Sequence, residues 1–394
     1  MPSQPPGSPD YRAYIVAARR SAIGRVGGLH RTRRIESLTA PIVSAVLEDC
    51  GLAPARVDEI IIGNATAGGN PARLIALSAG LPETVPATTV DRQCGSGLDA
   101  ILNAIRIVGV GEAQVVVAGG AESLSTAPWR IARPKSLYQT PHFIGADPGL
   151  SDPGAGEPHI YLSSEDLASR LGISRAQQDA YAFKSHLRAQ AAREARRFVG
   201  EIVPLRGSPE EARDQSAADH ELEDFEQLQP LLNEDGTLTA GNSSALHDGA
   251  AIVVVVSEAV WQEMGKPPAL RLVASAVQGV SPSADAIAPV AAINKLYDRL
   301  KGFNTKDIGV VEMSETSAAQ AIALLAELGY DEDMLNPDGG AVVRGHPFGA
   351  AGSVLVVRLF SRMVRDAAPG RPKFGVATLG TVGGMGLAAL FEAV

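Results

Sequence analysis

The chain carries one order of elements twice, and that repetition limits the folds open to it. In the first part, strand-like runs at Ala13–Ala17, Val57–Gly63, Val85–Val90 and Val115–Ala118 alternate with segments of helical period at Ile35–Gly51, Asn70–Gly80 and Leu98–Val110. Pro41 blurs the start of the first of these helices, because proline fits best in a first turn. After an irregular stretch the alternation resumes at Ala250. Strands are expected at Ile252–Val256, Leu270–Val280, Ile308–Met313, Phe374–Leu379 and Leu387–Glu392, and helices at Val290–Lys301, Ser317–Gly329 and Ala350–Arg365. Such alternation argues for an α/β sheet with helices on its faces. Its recurrence suggests an internal duplication, with the Cys94 turn matched in the second half by Glu312–Gln320.

Length and charge narrow the function classes. A chain of 394 residues suggests two or three domain-sized units. A net charge of −9 without a long Lys/Arg run argues against a nucleic-acid partner. No apolar run reaches membrane-spanning length, and the expectation is a soluble, cytoplasmic protein with no membrane partner. Two cysteines, Cys50 and Cys94, leave room for neither a disulfide framework nor a cysteine-rich metal site. Cys50 closes an apolar-periodic segment just before Gly51 and reads as a packing residue.

Domain boundaries follow from the pattern. Residues 1–10 are proline-rich and read as a disordered tail, residues 11–120 with 246–268 as one half, and residues 269–394 as the other. Residues 121–245 read as an insertion that covers the sheet and shapes a pocket. Within it Ser163–Phe198 is strongly helical, with Ser174 and Gln177 spaced as a capping box. Pro209–Phe225 is acidic, lacks a strong pattern and reads as mobile.

Four stretches carry the chemistry. In Asp91-Arg92-Gln93-Cys94-Gly95-Ser96-Gly97-Leu98 a cysteine sits between a strand and a helix. A helix N-terminus favours thiolate over thiol, and N–H groups beside glycines suit a developing oxyanion. A buried structural cysteine is the plainer reading of that stretch alone. Thr239–Ala250 offers small and hydroxyl side chains to an extended ligand, although alone it reads as a turn. In Gly345-His346-Pro347-Phe348-Gly349 a histidine enters a helix, where it could act as a base or an oxyanion donor. Gly380-Thr381-Val382-Gly383-Gly384-Met385-Gly386 is a glycine turn between strands, not the strand-to-helix turn of a dinucleotide fingerprint.

Together with Gly68–Gly80 (GGNPARLIALSAG), these stretches fall in the order and spacing of one family. From about Tyr11 to Val394 the chain resembles the thiolases, acyl-CoA C-acyltransferases. The resemblance implies an α/β fold of two similar αβαβα halves in a five-layered core, with an inserted loop domain. It implies a homodimer or homotetramer, a coenzyme A thioester as substrate, and no bound cofactor or metal. It gives Cys94 as the acylated nucleophile and His346 as the histidine that activates it and later helps bind the thioester oxygen. The N–H groups of Cys94 and of the final glycine turn match an oxyanion hole. Ala240, Gly241 and Ser244 match pantetheine contacts, and His159 matches a histidine of the same channel.

Departures from the family pattern are equally specific. Gly380 stands where the family has a second cysteine, the acid/base of the carbon chemistry, and Val382 where it has an N–H-donating glycine. The Asn-Glu-Ala-Phe box reads Ser314-Glu315-Thr316-Ser317, so the asparagine that holds a catalytic water is Ser314. Thr316 also stands where sterol-carrier-type relatives place their cysteine. Acyl transfer to Cys94 keeps its parts, whereas Claisen condensation lacks its base. The favoured expectation is an acyltransferase that hands its acyl group to an unusual acceptor, such as an already nucleophilic carbon. The alternatives are an ordinary thiolase in which Glu315 or His346 replaces the cysteine, and a non-catalytic acyl-CoA-binding or accessory subunit.

Overall fold

The first half runs β1 (Ala13–Arg20), β2 (Gly24–Arg25), α1 (Ile35–Asp49), β3 (Glu59–Gly63), α2 (Pro71–Ser78), β4 (Ala87–Val90), α3 (Ser96–Val110) and β5 (Val115–Glu122). An insertion follows, with β6 (Arg130–Ile131), β7 (Phe143–Ile144), α4 (Leu162–Leu171), α5 (Arg175–Glu194) and α6 (Leu222–Glu226). The chain then re-enters the first half as β8 (His247–Ser257) and α7 (Glu258–Glu263). The second half runs β9 (Leu270–Gly279), α8 (Ala288–Arg299), β10 (Ile308–Ser314), α9 (Ala318–Leu328), α10 (Ala341–Arg344), α11 (Ala351–Phe360), β11 (Phe374–Thr381) and β12 (Met385–Ala393). The structure, a computed structural model, describes residues 11–134, 136–141, 143–144, 161–205, 209–215, 221–300, 302–366 and 370–394.

The strands order as β10-β11-β12-β9-β1-β8-β5-β3-β4, with β2 on β8. The two halves join where β1 meets β9 at Tyr14–Arg271 and Ile15–Leu270. Each half repeats one pairing scheme: an inner antiparallel pair (β1 with β8, β9 with β12), an antiparallel neighbour, then a parallel one. Leu335 makes a lone parallel bridge to Val311, standing where β4 pairs with β3. The topology therefore corrects the internal match expected from the sequence. The His346 turn, which leads into α11, corresponds to the Cys94 turn, which leads into α3. Ser314–Gln320 corresponds instead to the segment after β3. Element order carries this correspondence, and the diverged letters conceal it.

Period-two alternation produces the layers. Ala251, Val253 and Val255 of β8 pack with α3 and α11, while Ile252, Val254 and Val256 pack with α1 and α2. In β12, Leu387, Ala389 and Phe391 face the same central layer, while Ala388 and Leu390 face the core formed with α8 and α9. The result is five layers, with α3 and α11 as the filling between two sheet faces. Their N-termini meet inside the molecule, and that meeting creates the site.

Pro41 lies inside α1, which starts at Ile35, where Leu38 N–H bonds Arg34 C=O at 2.9 Å. The capping box of α5 is present, with Ser174 N–H donating to Gln177 Oε1 at 2.8 Å and Gln177 N–H to Ser174 Oγ at 3.3 Å. The described part of Pro209–Phe225 is anchored, contrary to the mobile reading. Glu211 pairs with Arg33 at 2.5 Å, Asp214 with Arg20 at 2.6 Å, and Phe225 is buried. Those partners lie far off in sequence, so local pattern did not show them.

Candidate active site

The Cys94 turn is braced before it is reactive. Gln93 sits at φ 52°, left-handed backbone that a non-glycine residue adopts only when held there. Gln93 N–H bonds Asp91 Oδ1 at 2.9 Å, Arg92 N–H bonds Ser96 Oγ at 2.8 Å, and Ser96 Oγ donates to Gln93 C=O at 2.5 Å. Arg92 Nε reaches Asp99 in the first turn of α3 at 2.9 Å. The N-cap of α3 is Gly95, which brings no side chain to compete for the end of the helix.

Cys94 is buried. The backbone N–H groups of Val382 and of Cys94 itself lie near enough to the sulfur to favour thiolate. Burial outweighs them and pushes the thiol up to about 12. The resting group is therefore a thiol, not the thiolate that the helix N-terminus alone suggested. In the glycine turn the left-handed residues are Gly383 at φ 89° and Gly384 at φ 76°. Val382 has no positive φ, so its backbone tolerates a side chain there.

His346 enters from the other half. Its N–H bonds Ala245 C=O at 2.9 Å, and His247 N–H bonds its C=O at 3.1 Å, so the Thr239–Ala250 stretch fixes the turn. Gly345 stands at φ 95°, and a methyl there would lie 2.2 Å from His247 Nδ1. His346 Nδ1 bonds Ser314 Oγ at 2.9 Å, and Nε2 has no partner among the described residues. Burial lowers the imidazole to about 4, with His247 adding to the shift, so it is neutral and free to accept a proton.

The two turns are clamped to each other. A methyl on Gly97 would lie 2.7 Å from Gly349 C=O and 2.9 Å from Ser353 Oγ. Buried Glu122 accepts Gly349 N–H at 3.0 Å, Ala65 N–H at 3.1 Å and Asn64 Nδ2 at 2.9 Å, with Thr66 Oγ1 as a further donor. Glu122, at the end of β5, thus ties the His346 turn to the first half. No motif in the sequence pointed to it.

The Ser314–Ser317 box does structural work beyond Ser314. Glu315 accepts from Tyr181 Oη at 3.0 Å, Ala341 N–H at 2.5 Å and Asn336 Nδ2. Burial raises its pKa, yet its oxygens are committed to α5 and the start of α10. Those bonds argue against Glu315 as the substitute base. Ser317 Oγ caps α9 by accepting Gln320 N–H at 3.3 Å, and Thr316 C=O accepts Ser244 N–H at 3.0 Å. A Cβ on Gly380 would meet only Asp285 C=O at 3.3 Å, Gln320 Nε2 at 3.4 Å and Pro289 Cδ at 3.5 Å. None of these three is a proton-transfer group.

Ala240 and Gly241 line a cavity of about 780 Å³ together with Ala245, His247 and Gly345. Ser244 does not line it and instead turns to Thr316 C=O. Cys94 does not line it either, so the cavity abuts the site through the His346 turn. His159 lies outside the described residues. His247, whose ring packs on Gly345, was missed in the sequence. Its neighbour Asp248 and the Thr239–Ala250 motif were the available signal. Among the described residues no group of three His, Cys, Asp or Glu side chains could hold a metal, and no helix is long and apolar enough to cross a membrane.

Comparison with known proteins agrees with this architecture. The family model described as thiolase, N-terminal domain, matches residues 13–259, and thiolase, C-terminal domain, matches residues 266–393. The chain is 36% identical over 393 residues to an acetyl-CoA acetyltransferase of Allochromatium vinosum, covering 96% of this chain and 98% of that one. It is 37% identical over 387 residues to an acetyl-CoA acetyltransferase of Pseudomonas aeruginosa, covering 95% and 97%. The crystal structure of the Bacillus anthracis acetyl-CoA acetyltransferase superposes with a TM-score of 0.90 at 34% identity, covering 97% and 98%. Human mitochondrial 3-ketoacyl-CoA thiolase in complex with CoA gives a TM-score of 0.88 at 31% identity over the same shares.

Proposed function

The chain belongs to the thiolase family, and on that premise we propose that it takes an acyl group from an acyl-CoA onto Cys94 and passes it to an acceptor. One observation carries the assignment to Cys94. Its buried sulfur, just ahead of α3, lies beside the backbone N–H of Val382 from the glycine turn of the other half. A carbonyl oxygen delivered to that sulfur would meet the same N–H as its charge develops.

Both reacting groups start neutral. His346 Nε2 takes the Cys94 proton as Sγ forms its bond to the thioester carbon. With Ser314 Oγ accepting Nδ1–H, the imidazole would be in the tautomer that leaves Nε2 basic. The tetrahedral oxyanion collapses, the carbon–sulfur bond to CoA breaks, and the imidazolium returns the proton to the departing CoA sulfur. Acyl-Cys94 and free CoA remain. Pantetheine would approach through the cavity of about 780 Å³ along Ala240 and Gly241, with Ser244 behind that lining.

The second half-reaction differs from the family pattern. Proton abstraction from a second thioester needs a base where Gly380 stands. Its surroundings are a carbonyl, an amide and a proline ring. The acceptor is therefore one that arrives nucleophilic: an enolised or electron-rich aromatic carbon, an amine or a hydroxyl. A homodimer or homotetramer is the expected assembly, with half-exposed Leu74 and Leu77 of α2 beside edge strand β4 as apolar surface.

The test is the intact mass of the protein after incubation with a panel of acyl-CoAs, followed by peptide mapping. One donor is expected to add its acyl mass to Cys94, and the Cys94→Ala protein is expected to gain none. An unchanged adduct on Cys94→Ala, or no adduct with any donor on folded wild-type protein, overturns the proposal.

A further inference from the structure

Short helix α10 separates two cavities. Val342 and Val343 line the large one. Behind α10 lies another of about 260 Å³, lined by Arg344, Gly339 and the solvent-exposed Arg196 and Arg213. A third cavity, of about 230 Å³, adjoins it and shares Arg196 and Asp338. Eight arginines and only three aspartates line this pair, in a chain whose net charge is −9.

The nearby carboxylates are already engaged. Asp214 is held by Arg20 at 2.6 and 3.0 Å and by the Ile23 N–H at 2.8 Å. Asp338 is shared by Arg358, Arg362 and Arg197. That leaves Arg344, which is 5% exposed. Its Nη2 donates to Gly339 C=O at 2.7 Å, whereas its Nη1 has no partner among the described residues. Glu312 lies 3.8 Å from Nη2, beyond hydrogen-bond distance, and neither Glu312 oxygen has a hydrogen-bond partner among the described residues. Burial also raises Glu312 to about 7, which weakens it further as a counter-charge. A buried guanidinium with an open donor calls for an acceptor from elsewhere.

We propose that this cavity binds a phosphate group, inorganic or on a small metabolite, separately from acyl-CoA. Its oxygens would meet Arg344 from the inside and Arg196 and Arg213 from the rim. Three guanidinium forks from three chain segments suit a group with oxygens on several sides better than a planar carboxylate. Arg344 directly precedes Gly345 and His346, so an occupant bears on the turn that presents His346.

The test is calorimetric titration of the full chain with inorganic phosphate at constant ionic strength, with and without saturating CoA. Saturable binding that CoA leaves unchanged is expected, weakened at least about ten-fold in the Arg196→Gln/Arg213→Gln double variant. Those side chains are exposed, so the variant keeps the wild-type melting temperature in chloride and the wild-type rate of Cys94 acylation. Phosphate heats no different from chloride, or a double variant that binds like wild type, overturn the site. Competition between phosphate and CoA overturns its separateness and gives the pocket to the phosphates of CoA itself. Binding is read without turnover, so a failure here is distinct from a failure of the acyl-transfer assignment.

Discussion

Gly97→Ala tests whether contact between the two central helices sets the relation of Cys94 to His346. The added methyl would stand 2.7 Å from Gly349 C=O, 2.9 Å from Ser353 Oγ and 3.0 Å from Ser353 N. Carbon–oxygen contacts normally begin near about 3.3 Å, so the N-termini of α3 and α11 must part by roughly 0.6 Å. Overpacking of this kind costs about 1–3 kcal/mol, offset by the roughly 0.4–1 kcal/mol that alanine gains over glycine through the unfolded chain. A net loss of about 1–2 kcal/mol is expected. Misplacing reacting groups by 1 Å costs on the order of 10²-fold in rate, so a 0.6 Å parting should slow acylation roughly ten-fold. Gly109→Ala is the control on the same helix: its methyl would meet only Tyr11, at 3.7 Å, an ordinary contact. That variant should gain about 0.4–1 kcal/mol and acylate at the wild-type rate. Urea melts give the stabilities, and timed intact-mass spectra give the rate of adduct growth on Cys94. A destabilised Gly97→Ala protein that acylates at the wild-type rate would refute the idea that this contact sets the geometry. An equally slow Gly109→Ala would shift the blame from the contact to the loss of a helical glycine.

Three further outcomes follow from the site. His346 sits at about 4 against 6.5 when unfolded, so the folded state binds fewer protons between those values. Its contribution is complete above pH 6.5 and disappears as pH falls towards 4, on the order of 2–3 kcal/mol. Urea melts at pH 7 and pH 4.5 should therefore show a larger loss for wild type than for His346→Asn, and equal losses would contradict the depressed imidazole. Glu315→Gln puts a donor against Ala341 N–H or Asn336 and should cost about 1–3 kcal/mol while folded protein acylates within a few-fold of wild type. A rate loss of about 10²–10⁴-fold at unchanged stability would instead mark Glu315 as a base. Gly380→Cys fits a Cβ with neighbours at 3.3–3.5 Å and should raise acetoacetyl-CoA thiolysis by about 10²–10⁴-fold; no rise in a folded, acylating variant would show that a missing thiol is not what limits that reaction.

What the sequence revealed depended on how local each signal was. The β-branched run of β8 and the period of α3 are decided within a dozen residues, and both elements stand where expected. The same holds for Ser174 and Gln177, where the cap is a contact between near neighbours. Glu122 was invisible because its partners, Asn64 and Ala65 on one stretch and Gly349 on another, lie far from it in sequence. Glu315, an alternative base by sequence, is the complementary case. Its letter suits a base, and only the fold shows the carboxylate spent on Tyr181, Asn336 and the α10 N-terminus. The protonation state of Cys94 was misjudged because a helix N-terminus can be read from sequence, whereas the depth of burial that outweighs it cannot.

That misjudgement bears on the chemistry. With the thiol near 12 and the imidazole near 4, the resting pair stays uncharged across the whole physiological range. A thiolate–imidazolium pair is strongly disfavoured there, so on the proposed mechanism the thiol would be held back until a thioester carbonyl takes up charge beside Val382 N–H. Electrostatic help then goes to the developing oxyanion and not to the ground state, which is the condition for it to accelerate the reaction. The same neutrality restricts the second half-reaction. On the proposed mechanism His346 would regain a neutral Nε2 once CoA leaves, but a buried imidazole near 4 is too weak a base to deprotonate an unactivated α-carbon. It is adequate for the proton of an amine, a hydroxyl or an enol that attacks acyl-Cys94 directly. If Gly380 does stand in place of a family cysteine, that loss and the low basicity of His346 point to the same class of acceptor, one that brings its own nucleophilicity.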